Sequence, residues 1–538
     1  MSTPHDDVLI LGAGHNGLVC AAYLAAAGLK VRMLERRSIV GGAAVTEAFH
    51  PGFRNSVASY TVSLLDEAVI ADLRLREHGL CIAERPFANF LPLPDGDAFR
   101  FGGAYGEAEI ARFAPQDVGR WRAYSAMLDR VVGLLRELVR MTPPNIGGPM
   151  ALADWLGSWS LAKKLRHLDL RARRDLLDLM TKSAGEILDA HFSCQPLKAV
   201  LGWDSIVGNF ASPYTPGSAY VLLHHVFGGI NGKPGAWGHA IGGMGAITQA
   251  MRAECEARGV IIETDAEVVS LIVTDGRVEG AISADGREYR ARAVASNLNP
   301  KLLYQRMIAP EHLDDDSHRR IAGYRCGSGT FRMNVALAEL PDFHAAPGTA
   351  LQPHHQSGIL IGDSLGYFEQ AYFDAKSRAY NPGWARQPVV ELVISSTLDA
   401  TLAPPGQHVA SLFCQHVNPV MADWDAHRDE VARLMIATVD AAAPNFARSV
   451  LGYEALTPLD LERRFGLVGG DIFHGALGLD QLFAARPLLG QGAYRGALDG
   501  LYLCGAGSHP GGGVTGLPGR NAAREMLRDL RRGPRPRD

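Results

Sequence analysis

Residues Asp7 to Glu35, DVLILGAGHNGLVCAAYLAAAGLKVRMLE, constrain the fold more than any other stretch of the chain. Val8 to Leu11 form a short apolar run with branched members, the pattern of a strand buried on both faces. The run breaks into Gly12-Ala13-Gly14-His15-Asn16-Gly17, a GxGxxG that leads into an alanine-rich helical segment, Leu18 to Ala27. Gly28 stops that helix as a left-handed C-cap. Lys30 to Leu34 reads as a second strand, with Glu35 at its end. Each part has a physical task. Gly12 permits the tight turn, Gly14 lets backbone approach a pyrophosphate, and Gly17 lets helix and strand pack closely. The diphosphate then meets the free N–H groups and positive end of the helix. Glu35 is placed to accept hydrogen bonds from an adenosine ribose, and an acid there argues against a 2′-phosphate. A lone GxGxxG is also compatible with a structural turn, but strand, helix, second strand and acid in one register favour a dinucleotide site.

The chain has 538 residues, too many for one simple core, so two or three domains are expected. A formal net charge of −4 gives no sign of a nucleic-acid partner. Arginines 528, 531, 532, 535 and 537 gather at the end, a solvated tail with weak contact to an anionic membrane as the second reading. Met1 to Asp7 lacks a basic region of the secretory type. Val8 to Leu29 is interrupted by glycines, His15 and Asn16, so a Rossmann unit explains it better than a membrane span. Seven scattered cysteines (20, 81, 194, 255, 326, 414 and 504) without a CxxC fit reduced thiols in a cytoplasm. They offer no redox-active pair for a disulfide reductase.

Gly41-Gly42 follows the second strand, where backbone can pass close to a flat or phosphorylated ligand; a plain turn is the alternative. Ser56 to Leu65 mixes small and apolar residues and is read as returning towards the cofactor. Helical spacing then dominates, over Trp121 to Met141 and Ala162 to Leu188, with Leu24, Leu128, Leu134 and Leu138 assigned to core. Residues 228–243 read as a long glycine-rich connection. His224, His225 and His239 near it lack the spacing and acidic partner of a metal site, and no metal site is expected. A helix over Ala246 to Arg258, ended by Gly259, precedes strands with Asp275-Gly276 and Asp285-Gly286 turns. Val268 there is positioned for a backbone contact to an adenine. Strands at Val389 to Ile394 and Val409 to Cys414 and a helix at Trp424 to Ala442 mark an α+β region.

A second strong signal closes the chain: a strand, Leu501 to Cys504, a glycine-dense loop from Gly505 through Gly513 and Val514, and a helix, Asn521 to Leu530. That helix start presents N–H groups to anionic oxygen. Two ligand-cradling loops nearly 500 residues apart imply one extended cofactor held by both ends of the chain, and FAD fits that length.

The opening DVLILGAGHNGLVCAAYL…LERRSIVGGAA, the GGMGAITQAM…GVIIETDAEV block and the ending GLYLCGAGSHPGGGVTGLPGRNAA resemble the phytoene-desaturase-like FAD oxidoreductases. This group holds carotenoid desaturases, carotenoid isomerases and retinol saturases, and the resemblance points to its branch with pyridine nucleotide-disulphide oxidoreductase domain-containing protein 2. It implies an α/β fold: a discontinuous Rossmann-like FAD-binding domain of glutathione-reductase/amine-oxidase type, an α+β substrate domain and a helical subdomain. The expected divisions are 1–65, 232–300 and 491–530 for FAD, 66–231 largely helical, 301–490 for substrate and 531–538 as basic tail. The resemblance also implies FAD contacts at Gly12, Gly14, Gly17, Glu35, Gly41, Gly42, Val268, Gly505, Gly513 and Val514. Two positions depart from the family. Ala43 stands where many relatives have arginine, and Ala506 where many carry an acid, which leaves the ribityl hydroxyls to backbone groups.

No second strand–GxGxxG–helix is visible, so no dedicated NAD(P)H domain is expected; reduced flavin would pass electrons to oxygen, a quinone or back to substrate. His509 is the nominated catalytic base, with a purely loop-shaping role as its alternative. The functional expectation is an FAD oxidoreductase of desaturase, saturase or isomerase type on an apolar, polyene or isoprenoid substrate. An amine- or amino-acid-type flavin oxidase is the second reading, and a non-catalytic binding protein on the same fold the third.

Overall fold

The computed structural model describes residues 6–147, 152–377 and 382–532. Two seven-stranded sheets organise them. In the first, Asp6–Leu11 is the central strand, flanked in parallel by Val31–Leu34 and Glu288–Ser296. Ile261–Glu263 extends one side, and Leu501–Leu503 pairs in parallel with the end of Glu288–Ser296. Ile10 therefore sits between Met33 and Ala295, and Ala295 in turn faces Tyr502. Val8 to Leu11 are at most 1% exposed, as a strand covered on both faces requires. The start of Glu288–Ser296 turns outward into an antiparallel meander with Arg277–Ser283 and Val268–Thr274. Asp275 and Gly276, both at positive φ, make its tight turn.

The first helix, His15–Ala26, ends before Gly28, whose φ of +86° is the expected left-handed stop. The last helix, Leu517–Arg532, packs against it so closely that a Cβ on Gly519 would meet the Asn16 carbonyl at 2.0 Å. This helix starts four residues earlier than the sequence pattern suggests, because Pro518 suits a first helical turn and Gly516 turns the chain at φ +74°.

The second sheet runs Val450–Leu456, Thr330–Leu337, His408–Val417, Trp384–Val393, Gly358–Ile361, Asn89–Pro92 and Ala98–Phe101. All its pairings are antiparallel except Gly358–Ile361 with Asn89–Pro92. The last two strands lie within 66–231, the portion expected to be largely helical. Phe90, Leu91, Ala98 and Phe99 are all buried, and an Asp95-Gly96 turn joins the two strands, so sheet burial wins there over helix. Helices Asp117–Leu138, Leu170–Thr181, Ala184–His191, Gln195–Ile206 and Ser218–Val226 cover this sheet, Trp203 and Leu197 sharing one core with Phe413 and Leu360.

The run Ala162 to Leu188 is broken rather than continuous. Asp169 caps one new helix by accepting from the Ala172 N–H, and Ser183 with Glu186 forms a capping box at the next. Caps override the apolar spacing. The 228–243 connection contains a strand, Gly238–Ala240, paired with Ile82–Glu84. Leu24, Leu128 and Leu134 are core residues, as expected. Among the described residues no helix is long and apolar enough to cross a membrane. The basic tail from residue 533 onward lies outside them.

Candidate functional site at the meeting of head and tail

The glycine loop after the first strand is held by neighbours that leave no room for side chains. A Cβ on Gly17 would approach the Gly12 carbonyl to 2.4 Å, and one on Gly14 would approach Asn297 Nδ2 to 2.7 Å. Gly41 donates its N–H to the Ala13 carbonyl at 2.8 Å, which folds the second glycine pair onto the first loop. Gly42, at φ +58°, then lies over Gly14. Glu35 is fixed by accepting from the Ala13 N–H at 2.8 Å and the Arg37 N–H at 3.0 Å. Arg36 reaches the Arg463 carbonyl at 3.0 Å, and Arg37 pairs with Glu47 at 2.6 Å beside the Phe465 ring.

The tail loop arrives at the same place. The Cys504 N–H donates to the Ser296 carbonyl, and a Cβ on Gly505 would lie 2.7 Å from the Asn297 carbonyl. Asn297 also donates its side-chain amide to the Gly12 carbonyl at 3.2 Å, so one residue clamps both loops. Gly513 is at φ +104° and crowded by Leu64 and His224; Val514 holds φ +58°, a strained backbone for a β-branched residue.

One cavity of about 440 Å³ joins these parts. Gly12, Gly14, Glu35, Gly41, Gly42 and Val268 line it from the head of the chain and the meander, and Gly513 and Val514 from the tail. Gly17 and Gly505 lie beneath its wall as packing positions. The Ser56 to Leu65 segment does return to it, through Ala58 to Thr61, Ser63 and Leu64. His509 does not belong to the wall, and its nomination as base is corrected by its surroundings. It is buried, donates from Nε2 to the Leu138 carbonyl at 3.0 Å and packs edge-on to Phe483. Burial pushes its pKa down to about 4. His509 holds the loop against a helix.

The residues present fit a dinucleotide. Glycines form a cradle that any Cβ would fill, and cavity-lining His15 and Asn16 leave Nε2 and Oδ1 buried without a hydrogen-bond partner among the described residues. Burial lowers the His15 pKa to about 3, so the ring is neutral and free to donate one hydrogen bond. Ala43 and Ala506 both line the cavity. Behind Ala506, fully buried Arg486 donates to the carbonyls of Ala506 (2.9 Å), Phe473 (2.7 Å), Gln481 (3.1 Å), Gly475 and Ala476. A fixed positive charge thus underlies the loop at Ala506.

The far end of the cavity is built from the second sheet and its helices. Trp203, Phe413, Ile472 and Phe473 give it an apolar surface. Into this surface project Tyr60, Arg85, Asp204 and Glu391. The Tyr60 hydroxyl donates to the Glu391 carboxylate; Arg85 lies 3.8 Å from the same carboxylate and donates to Thr61 at 2.8 Å. Buried Arg332 stacks under the Tyr60 ring at 4.5 Å. Asp204 has no such partner: burial, and then the Glu391 charge, push its pKa up to about 8. None of these four was singled out from the sequence, because nothing local marks residues that meet across hundreds of positions. His239 also gains a partner invisible in sequence, Asp399 Oδ2 at 3.1 Å, a contact that ties two buried segments. Among the described residues no group of three or more His, Cys, Asp or Glu side chains is placed to hold a metal ion.

Known proteins agree with this geometry. The NAD(P)-binding Rossmann-like domain family matches residues 10–70. Pyridine nucleotide-disulfide oxidoreductase domain-containing protein 2 of Rattus norvegicus is 40% identical over 559 aligned positions, covering 98% of this chain and 94% of that protein. A lycopene-forming phytoene desaturase of Pantoea ananas is 24% identical, covering 97% and 99%. A redesigned triple mutant of putrescine oxidase shares the fold with a TM-score of 0.61 at 16% identity, covering 98% of this chain and 99% of its own. The cysteines here are free, so the disulfide chemistry in the rat relative's name has no counterpart in a paired motif of this chain. With two glycine loops converging on one cavity, and with a relative at this identity over nearly the full length, the chain belongs to the family of pyridine nucleotide-disulfide oxidoreductase domain-containing protein 2 and is an FAD-dependent oxidoreductase.

Proposed function

We propose that this oxidoreductase acts as a desaturase, saturase or isomerase on an apolar polyene or isoprenoid substrate. The observation that carries the reading is the single cavity running from Glu35 and Val268, past Gly513 and Val514, to an aromatic far end. Its ADP end is assigned to Gly12, Gly14, Glu35 and Val268, its flavin end to Gly41, Gly42, Gly513 and Val514, with Gly17 and Gly505 allowing the close packing beneath. FAD, when bound, supplies the acceptor or donor of a hydride. The chain's own residues do the rest. Trp203, Phe413 and Phe473 exclude water and orient an apolar ligand, and Arg486 fixes the loop carrying Ala506. Oxygen or a quinone is the proposed electron acceptor.

Two cavity carboxyls, Asp204 and Glu391, favour a second reading, an amine-type oxidase with a cationic substrate. Anaerobic reduction of the bound flavin separates the two. The first reading expects bleaching by phytoene in detergent micelles, none by putrescine, and recovery of the yellow colour with oxygen or a soluble quinone. Bleaching by putrescine alone, with peroxide on reoxidation, overturns it.

A further inference from the structure

At the substrate end Tyr60, Glu391 and Arg85 form one connected group, with Arg85 Nε left buried without a hydrogen-bond partner among the described residues, and Asp204 stands outside it. Glu391 is engaged by Tyr60 and lies against Arg85, which is itself bonded to Thr61. Asp204, on the helix Gln195–Ile206, lines the same cavity, yet neither of its carboxyl oxygens has a hydrogen-bond partner among the described residues. Trp203 and Phe413 line the same cavity. Three titratable groups on packed elements act on it: Tyr124 from the helix Asp117–Leu138, His225 from Ser218–Val226 and Glu391 from Trp384–Val393. His225 meets the Asp204 backbone carbonyl rather than its carboxyl, so it leaves the side chain free. A carboxyl without a partner in an apolar wall costs free energy unless something binds it.

We propose that Asp204 is the acid–base residue of this site, exchanging a proton with a substrate carbon next to the one that gives or receives the hydride. The inference rests on the oxidoreductase reading above. In the oxidising direction the Asp204 carboxylate would take a proton from one substrate carbon, the electrons of that C–H bond would form the new double bond, and the neighbouring carbon would lose a hydride, for which FAD would be the acceptor when bound. The substrate loses two hydrogens, Asp204 becomes a neutral acid, and oxygen or a quinone restores the oxidised cofactor. In the saturating direction the same proton returns from Asp204.

The test uses the full FAD-loaded chain, with phytoene in detergent and putrescine as probes; whichever bleaches the wild-type flavin is carried to the variants. Asp204→Asn is expected to keep its FAD and to slow flavin reduction by roughly 100-fold or more, and to abolish a wild-type rate midpoint near pH 8. Glu391→Gln is expected to move that midpoint to lower pH, because one neighbouring negative charge is gone. Thermal stability gives a readout free of any substrate. A carboxyl whose folded pKa lies above its unfolded value stabilises fully at low pH and loses that contribution as pH rises through the folded value. The melting temperature of wild type relative to Asp204→Asn should therefore fall between pH 5 and 8 and level off above. Reduction of Asp204→Asn at the wild-type rate overturns the inference while leaving the functional reading intact. Failure of phytoene with success of putrescine overturns the functional reading and leaves Asp204 to be judged on putrescine, where the proton it takes is the one on the nitrogen next to the hydride-giving carbon. A melting difference flat from pH 5 to 9 overturns Asp204 whichever probe reacts.

Discussion

The two ends of the cavity are made by opposite means. At the proposed nucleotide end much of the wall is backbone: Gly12, Gly14, Gly41 and Gly42 bring main chain to the surface beside the side chains of His15, Asn16 and Glu35. At the substrate end the wall is long side chains, Tyr60, Arg85, Trp203, Asp204, Glu391 and Phe413, contributed by segments up to 353 positions apart (413 − 60). A backbone site tolerates almost no substitution, because every added carbon lands on a neighbour. A side-chain site tolerates many, and its chemistry can be retuned one residue at a time. The difference teaches where a fold of this kind keeps its cofactor constant and where it changes substrate.

The harshest way to break this contrast is at Gly17, where a side chain has only the Gly12 carbonyl to enter. Gly17→Val should cost about 3 kcal/mol of local packing and weaken FAD binding roughly 100-fold, read as nearly colourless purified protein and by titration of the apoprotein. Wild-type flavin content in that variant would remove the close-packing argument.

Next comes the buried contact between Asp399 and His239, outside the cavity wall. Asp399 accepts from His239, Gly242 and Thr401 while buried, and those hydrogen bonds hold its carboxyl below the usual carboxylate range despite the opposing effect of burial. Asp399→Asn should lower unfolding free energy at pH 7 by about 3 kcal/mol, since buried donors lose a charged acceptor. A depressed pKa stabilises above the unfolded value and is lost as pH falls. The gap between wild type and variant should thus close below about pH 4; a gap constant from pH 7 to 3 would refute the assignment.

A milder change sharpens the nucleotide end. Glu35→Gln keeps the shape but removes the charge that the Ala13 and Arg37 N–H groups now meet. FAD should bind about tenfold more weakly, the loss of roughly 1.4 kcal/mol, measurable by fluorescence quenching. The smallest effect belongs to His509→Asn: about 1 kcal/mol of stability from the Leu138 contact, with the rate of flavin reduction per bound FAD unchanged. A lost rate with retained flavin would reinstate His509 as a catalytic residue.

The same division governs what could be read from the sequence. The head motif was legible because strand, loop, helix and acid lie within thirty residues and each glycine has a local steric reason. The tail loop was legible for the same reason, and its pairing with the head followed from the length of one ligand. Helix interruptions at Asp169 and Ser183 were hidden inside an apolar rhythm that continues across them, although their capping residues were in view. The strands at residues 89–101 were missed because their partner, Gly358–Ile361, lies some 260 positions away. Asp204 offered no signal at all. Its character comes from burial and from Glu391, neither of which is a property of neighbouring letters.

The pairing of Leu501–Leu503 with Glu288–Ser296 also fixes an order of events at the ribosome. The strand that finishes the first sheet, and the loop assigned to the proposed flavin end, are synthesised some 490 residues after the motif they complete (505 − 14). Until those last residues exist, the glycine turn near the beginning is an open half-socket, and the proposed cofactor site is incomplete.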